Sequence, residues 1–145
     1  MITFKAVSVD NFDEIIDLHK KPEQKGFVMG NLYSMAQSKV IPSLIPMGIY
    51  SDDVPVGFVL YERREAPDAH IFLKRYMIDG RYQGRGLGRA GLAAFIELMR
   101  ADNPGLPIEL MHYPDNIVAA ALYDGMGFRP TGEVRETETV KRLLV

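Results

Sequence analysis

The chain has 145 residues, 47% of them hydrophobic and 25% charged, with a formal net charge of −2 and no cysteine. That length buries a core without staples and fits one domain over residues 1–145, and the lack of cysteine excludes disulfides, thiolate metal sites and a catalytic thiol. The charge does not favour a nucleic acid, no apolar run approaches the ~20 residues of a membrane span, and no signal peptide leads the chain, so a cytoplasmic protein is expected.

Residues 2–9 set Ile2, Phe4 and Ala6 against Thr3 and Lys5, the alternation of a half-buried strand. Asp10 is placed to cap a helix reaching about His19. Phe12, Ile15, Ile16 and His19 form its expected inner face, and Asp10, Asp13, Glu14 and Asp17 an acidic outer one. A second helix is expected over 28–38, and Pro42 and Pro46 mark the loop into the next strand. Residues 47–63 read as a hairpin turning at Ser51-Asp52-Asp53, followed by a long strand over 70–78. Then comes RYQGRGLGRAGLAAFIELMR (81–100), a glycine-rich loop running into an amphipathic helix over 86–101. A short strand over 108–113 is made parallel to 70–78 by the helical crossover. A helix over 116–126, stopped by Gly127, and strands near 128–134 and 138–144 close the chain. The class is α/β mixed, a mostly antiparallel sheet of six to seven strands with helices on both faces and one parallel pair.

The glycine loop carries the chemistry. Its backbone turns freely, and the first turn of the following helix offers unpaired N–H groups at the positive end of a dipole, a cradle for phosphate oxygens. Gly86, Gly88 and Gly91 match G-x-G-x-x-G, a dinucleotide pattern in which Glu109 stands for the ribose-binding acid. That reading needs repeated βαβ units, and the first half of this chain reads as hairpins.

Gln83, Gly86 and Gly88 form Q-x-x-G-x-G, and here the sequence resembles the GNAT superfamily of acetyl-CoA-dependent N-acetyltransferases. The element order agrees over nearly the whole chain. A second segment, Asn116-x-x-Ala119-x-x-Leu122-Tyr123 followed by Gly127-Phe128, resembles the family's other cofactor-contacting stretch. The resemblance implies that acetyl-CoA is the co-substrate. Gln83, Gly84, Arg85, Gly86, Leu87, Gly88 and Arg89 would cradle its pyrophosphate, the backbone near Met77 and Ile78 would hold the pantetheine arm, and Asn116 would order that arm. The strand before the loop is expected to splay from its parallel neighbour, often at a bulge. Tyr123 is implied as general acid to the departing thiolate, whereas its residue type alone is better met by a buried aromatic with a bonded hydroxyl. Ala119, Leu122 and Met126, at helical spacing, are expected in the core.

The attacking amine needs a base, and the residues leave Asp79, Glu62, Glu109, His112 or water open. With no cysteine to carry the acetyl group, direct attack is expected. MIDGRYQGRGLG and ALYDGMGF look most like bacterial spermine/spermidine and other small-amine acetyltransferases. On that basis a polyamine is the first acceptor, with Glu14, Asp17, Glu23 and Glu62 as carboxylates for its ammonium groups. An aminoglycoside, an amino acid or a protein amine stays open, as does a non-catalytic acyl-CoA sensor. No His/Asp/Glu grouping shows metal-ligand spacing, so no metal is expected. The closing strands leave an edge on which a homodimer is conceivable.

Overall fold

In the computed structural model, residues 1–19 and 30–144 are described. The chain runs β1 (Ile2–Ala6), α1 (Phe12–Asp17), α2 (Asn31–Val40), β2 (Leu44–Ser51), β3 (Val54–Arg64) and β4 (His70–Ile78). After a 3₁₀ turn at Gly80–Tyr82 come α3 (Leu87–Asp102), β5 (Ile108–His112), α4 (Ile117–Gly125), β6 (Arg129–Arg135) and β7 (Glu138–Leu143). One seven-stranded sheet forms in the order β1-β2-β3-β4-β5-β7-β6. β1 to β4 make an antiparallel meander, β5 lies parallel to β4, and β7 inserts antiparallel between β5 and β6. This is the mixed class with one parallel pair that the sequence predicts. Among the described residues, no helix is long and apolar enough to cross a membrane.

Local chemistry explains most boundaries. The β2–β3 hairpin turns on Asp52 and Asp53 at φ 48° and 67°, two successive left-handed residues, as two-residue hairpins of this twist require. α1 departs from its expected position. Its cap position is Asn11, not Asp10, and the Asn11 side chain accepts from Ser8 N–H and donates to the Ala6 carbonyl, which ends β1 early. Its inner face is Ile15 with Leu18, while Phe12 and His19 are exposed. The apolar stripe is therefore rotated from the one expected, and His19 is a surface side chain and not a packed one.

Two cores lie on opposite faces of the sheet. α3 sends Leu92, Phe95, Ile96 and Met99 onto Val59, Ile71, Leu73, Tyr76 and Ile78, and Tyr123 of α4 and Phe128 join this cluster. On the other face Ile15 of α1 and Leu18 just past its end, with Met35 of α2, pack on Phe58, Leu60 and Met77. The sheet is no doubly wound parallel one, so the dinucleotide alternative falls. Gly91, the third glycine of that pattern, has a packing reason instead. A Cβ there would lie 2.5 Å from the Tyr76 hydroxyl, which donates to the Gly88 carbonyl at 2.6 Å. Gly91 lets α3 close onto β4, and Tyr76 fixes where α3 begins.

Candidate active site

β4 carries the feature on which the site is built. Its register with β3 pairs Leu60 with Arg75 but Tyr61 with Leu73, so Lys74 is left over as a β-bulge. Ile71 and Leu73 face α3 before the bulge, and Tyr76 and Ile78 after it, a break in the strict alternation of a strand. On its other side β4 pairs with β5 over only Ile71–Ile108, Phe72–Glu109 and Leu73–Leu110. Beyond Leu73 the two strands part. The bulge and the parting coincide, and they open a fork in the sheet between 74–78 and 111–112.

β4 feeds this fork into the glycine loop. Met77 and Ile78 point their side chains into opposite cores, and the Ile78 carbonyl accepts from Gln83 Nε2 at 2.8 Å, which closes the turn. Gly84 and Gly86 hold φ +79° and +78° with nothing within 4 Å of an added Cβ, and at Gly88 the nearest atoms, on Ile78 and Leu122, are 4.0 Å away. α3 starts at Leu87 with no side-chain cap and no acid in its first turn, and its first backbone bond runs from Ala90 N–H to the Gly86 carbonyl. The amides of Leu87, Gly88 and Arg89 therefore precede the first helical bond, beside a loop with free space at Gly84 and Gly86, an arrangement suited to anionic oxygens. Arg85 and Arg89 are exposed beside it, and the Arg85 guanidinium lies 5.8 Å from the Tyr82 ring. A phosphate cradle next to a parted strand pair fits coenzyme A, with phosphates at the amides and a narrow arm along the fork.

α4 flanks the same opening. Asn116 caps it, accepting from Ala119 N–H at 3.2 Å. Tyr123 is the buried residue of α4, packed edge-on to Phe128 at 5.9 Å and 6.0 Å from the His112 ring, whereas Ala119, Leu122 and Met126 are only partly covered. The core face of α4 thus includes Tyr123. Burial pushes its phenol up to about 12, so it stays protonated at neutral pH. The hydroxyl bonds to no described residue, yet it is not among the sealed unpartnered atoms, and so it meets accessible space. A buried tyrosine whose hydroxyl merely found a structural partner would look different.

Most of the candidate bases are already engaged. Asp79 is fully buried and caps the 3₁₀ turn, accepting from the backbone N–H groups of Arg81 (2.8 Å) and His19 (3.0 Å) and from Arg81 Nε (2.8 Å). Burial raises its carboxyl pKa, but these donors and the Arg81 charge outweigh that and bring it to about 2. It is a structural cap and cannot take a proton at neutral pH. Glu62 accepts from Ser43 (2.7 Å) and Arg64 (2.8 Å), which outweigh partial burial and hold its pKa below the ordinary value. Glu109 is bound by Arg135 and Arg142, each at 2.7 Å. His112 turns Nδ1 to the Tyr113 carbonyl at 2.9 Å, and its Nε2 is sealed and unpartnered, close to Tyr123 but out of an amine's reach.

Of the proposed amine-binding carboxylates, Glu14 and Asp17 lie on α1 and Glu62 near the end of β3. Glu14 accepts from the Tyr50 hydroxyl at 2.9 Å, the Asp17 carboxylate is exposed without a hydrogen-bonded partner among the described residues, and Glu23 lies outside them. The fold also gathers a group that sequence spacing hides: Asp68, His70 and Glu109 bring ligand atoms within 4.8 Å of one another. Arg142 bonds both carboxylates and Arg135 bonds Glu109, so two guanidinium charges occupy the place of a cation. The arrangement is an ion-pair network.

Asp79 supports a stability prediction. Its folded pKa lies below the unfolded value near 3.9, so its contribution is complete above about pH 4 and is lost as pH falls toward 2. Asp79→Asn is expected to lower the melting temperature by several degrees at pH 7 and by progressively less from pH 4 to pH 2, as read by calorimetry. An equal loss at every pH would contradict this.

The fold and the chemistry converge with what is known of other proteins. The chain matches the acetyltransferase (GNAT) family over residues 12–128. It is 32% identical to the spermine/spermidine N(1)-acetyltransferase of Bacillus subtilis, over 92% of this chain and 91% of that protein. An aminoglycoside acetyltransferase in complex with coenzyme A superposes with a TM-score of 0.81 at 14% identity, covering 99% of this chain and 95% of the other. An N-acetyltransferase of Thermoplasma acidophilum in complex with coenzyme A gives 0.73 at 13% identity, over 100% and 99%. With most of its length inside the family match and a close relative along nearly all of it, the chain belongs to the acetyltransferase (GNAT) family and is an acetyl-CoA-dependent N-acetyltransferase.

Proposed function

We propose that the protein transfers the acetyl group of acetyl-CoA to a primary amine of a small polyamine such as spermine or spermidine, by direct attack at the mouth of the β4–β5 fork. The observation that carries the reaction is the bulge at Lys74. It parts β4 from β5 beside an uncapped helix N-terminus and leaves a protonated tyrosine at the opening. The acceptor rests on the 32% identity to a spermine/spermidine acetyltransferase.

Residues 83–89 hold the pyrophosphate, the freed edge of β4 near Met77 and Ile78 pairs with the pantetheine amides, and Asn116 fixes the start of α4 against the arm. Tyr123 donates a hydrogen bond to the sulfur as the C–S bond breaks. A phenol near 12 is a weaker acid than an ordinary thiol near ~8.5, so its role is to stabilise the departing thiolate, and the sulfur's final proton comes from the amine or solvent.

Release of free thiol from acetyl-CoA, with mass detection of the acetylated amine, tests the reading across spermine, spermidine, putrescine, kanamycin and a peptide amine. Polyamines are expected to give at least ten times the kcat/KM of the others. Preference for kanamycin or the peptide would contradict the acceptor assignment. Coenzyme A binding without thiol release in any case would favour the sensor alternative.

A further inference from the structure

Every carboxylate considered as a base is neutralised by a nearby partner or set away from the fork, but one that the sequence did not single out is neither. Glu138 opens β7, one register step from Thr139, which pairs with His112 at the end of β5. It is partly buried, yet its carboxylate makes no hydrogen bond or ion pair with any described residue.

Its electrostatic surroundings locate it. The charges that act on it are Lys74 and Arg75 at the β4 bulge, His112 at the end of β5, and Glu136 in the β6–β7 turn. The first three belong to the two strands that part, so Glu138 lies across the mouth of the fork. Strand alternation sets its side. Lys141 of β7 reaches Asp124 on α4, while Arg142 reaches Glu109 on the opposite face. Glu138 shares the Arg142 face, opposite the helix that carries Tyr123. Glu138 and Tyr123 therefore stand on opposite faces of the sheet at the same opening, so an amine held by one and a sulfur held by the other do not compete for space. Arg75 is tied to Gln37 at 2.6 Å and Ser34 at 3.3 Å, which keeps its guanidinium from closing on the carboxylate.

We infer that Glu138 is the catalytic base: it binds the acceptor ammonium at the mouth of the fork and takes its proton. This rests on the acetyltransferase reading and deepens it. The acceptor R–NH3⁺ gives one proton to the Glu138 carboxylate. The freed lone pair forms the N–C bond to the acetyl carbon, and the C–S bond breaks with its electron pair leaving on sulfur. The nitrogen's surplus proton passes to the sulfur or to solvent, so the products are the N-acetyl amine, coenzyme A thiol and one proton returned from Glu138 to solvent. Burial, reinforced by Glu136, pushes the carboxyl above the usual glutamate range, against the pull of His112, Lys74 and Arg75, which brings it nearer to an amine-proton acceptor at neutral pH.

The test is Glu138→Gln. At pH 7 its kcat/KM for spermidine should fall about 100-fold, with the deficit shrinking as pH approaches ~10, where the amine loses its proton unaided. The thermal shift given by coenzyme A should match the wild type. A pH–rate profile of wild-type shape and height would overturn the inference, and a lost coenzyme A shift would assign Glu138 a structural role instead. A second measurement needs no turnover: the Glu138 carboxyl is titrated by NMR in the coenzyme A-saturated protein, with and without spermidine. The expected result is a pKa above the ordinary value that falls when the cation binds. A titration unmoved by spermidine would overturn the proposal. Thiol release from the wild type with no polyamine would sink the proposed acceptor and not the assignment of this carboxylate, which the NMR titration would then test with whichever amine is acetylated.

Discussion

Gly86→Val is expected to abolish measurable coenzyme A binding while the protein stays folded, and Gly105→Val is expected to leave binding untouched. The pair isolates the cradle. Both glycines hold nearly the same left-handed backbone, φ +78° and +80°, and neither has any atom within 4 Å of an added Cβ. The conformational cost of a non-glycine residue there, ~1–2 kcal/mol, is therefore common to both and small against ~5–15 kcal/mol of net stability. They differ in what lies beside them. Gly105 follows the end of α3, whereas Gly86 immediately precedes the amides of Leu87, Gly88 and Arg89, and a branched side chain there fills the space a phosphate must enter. Isothermal calorimetry checks this, with circular dichroism confirming the fold. Equal loss in both variants would trace the effect to backbone strain, and normal binding by Gly86→Val would move the cradle elsewhere.

Tyr123→Phe is expected to leave coenzyme A binding within about twofold and to lower kcat by roughly 100-fold, the range in which one hydrogen-bond donor to developing charge acts. The hydroxyl makes no bond to any described residue that its removal would break, so folding stability should be nearly unchanged. Since burial holds the phenol near 12, the wild-type rate should show no loss from this group as pH rises to about 10. Initial rates across that range decide the matter. A basic limb near pH 8 that vanishes in the phenylalanine variant would show that the tyrosine ionises far more easily than its burial implies. Undiminished kcat would pass the role to water.

The parts of the fold that were legible in the sequence are those fixed by local chemistry. The hairpin turn within Ser51-Asp52-Asp53, the glycines before α3 and the crossover that makes β5 parallel each depend on neighbours in the chain. What was hidden depends on partners far away. The α1 stripe was misassigned because Phe12 and His19 fit helical spacing as well as Leu18 does, and only the sheet decides which side is covered. His19 turned out to matter through its backbone, which bonds Asp79 and Gly80 and ties α1 to the root of the glycine loop. The site shows the same division. The cradle and Tyr123 were read from motifs, but the bulge at Lys74 appears only in the β3–β4 register. The exclusion of Glu109 needed Arg135 and Arg142 on two other strands, whereas Glu62 and Asp79 are held by Arg64 and Arg81 only two residues on, a closure that sequence adjacency does not decide. Glu138 gave no sequence signal, since a glutamate opening a terminal strand resembles any solvated charge until the fork is placed beside it.

The most direct test of the site is to titrate ¹⁵N-labelled protein with coenzyme A and follow every backbone amide. The account predicts the largest shifts at Gly84 to Arg89 and along 74–78, with smaller ones at 116–123, and no comparable pattern with NAD. Shifts gathered on β1, β2 or the outer face of α2, or a matching response to NAD, would contradict it.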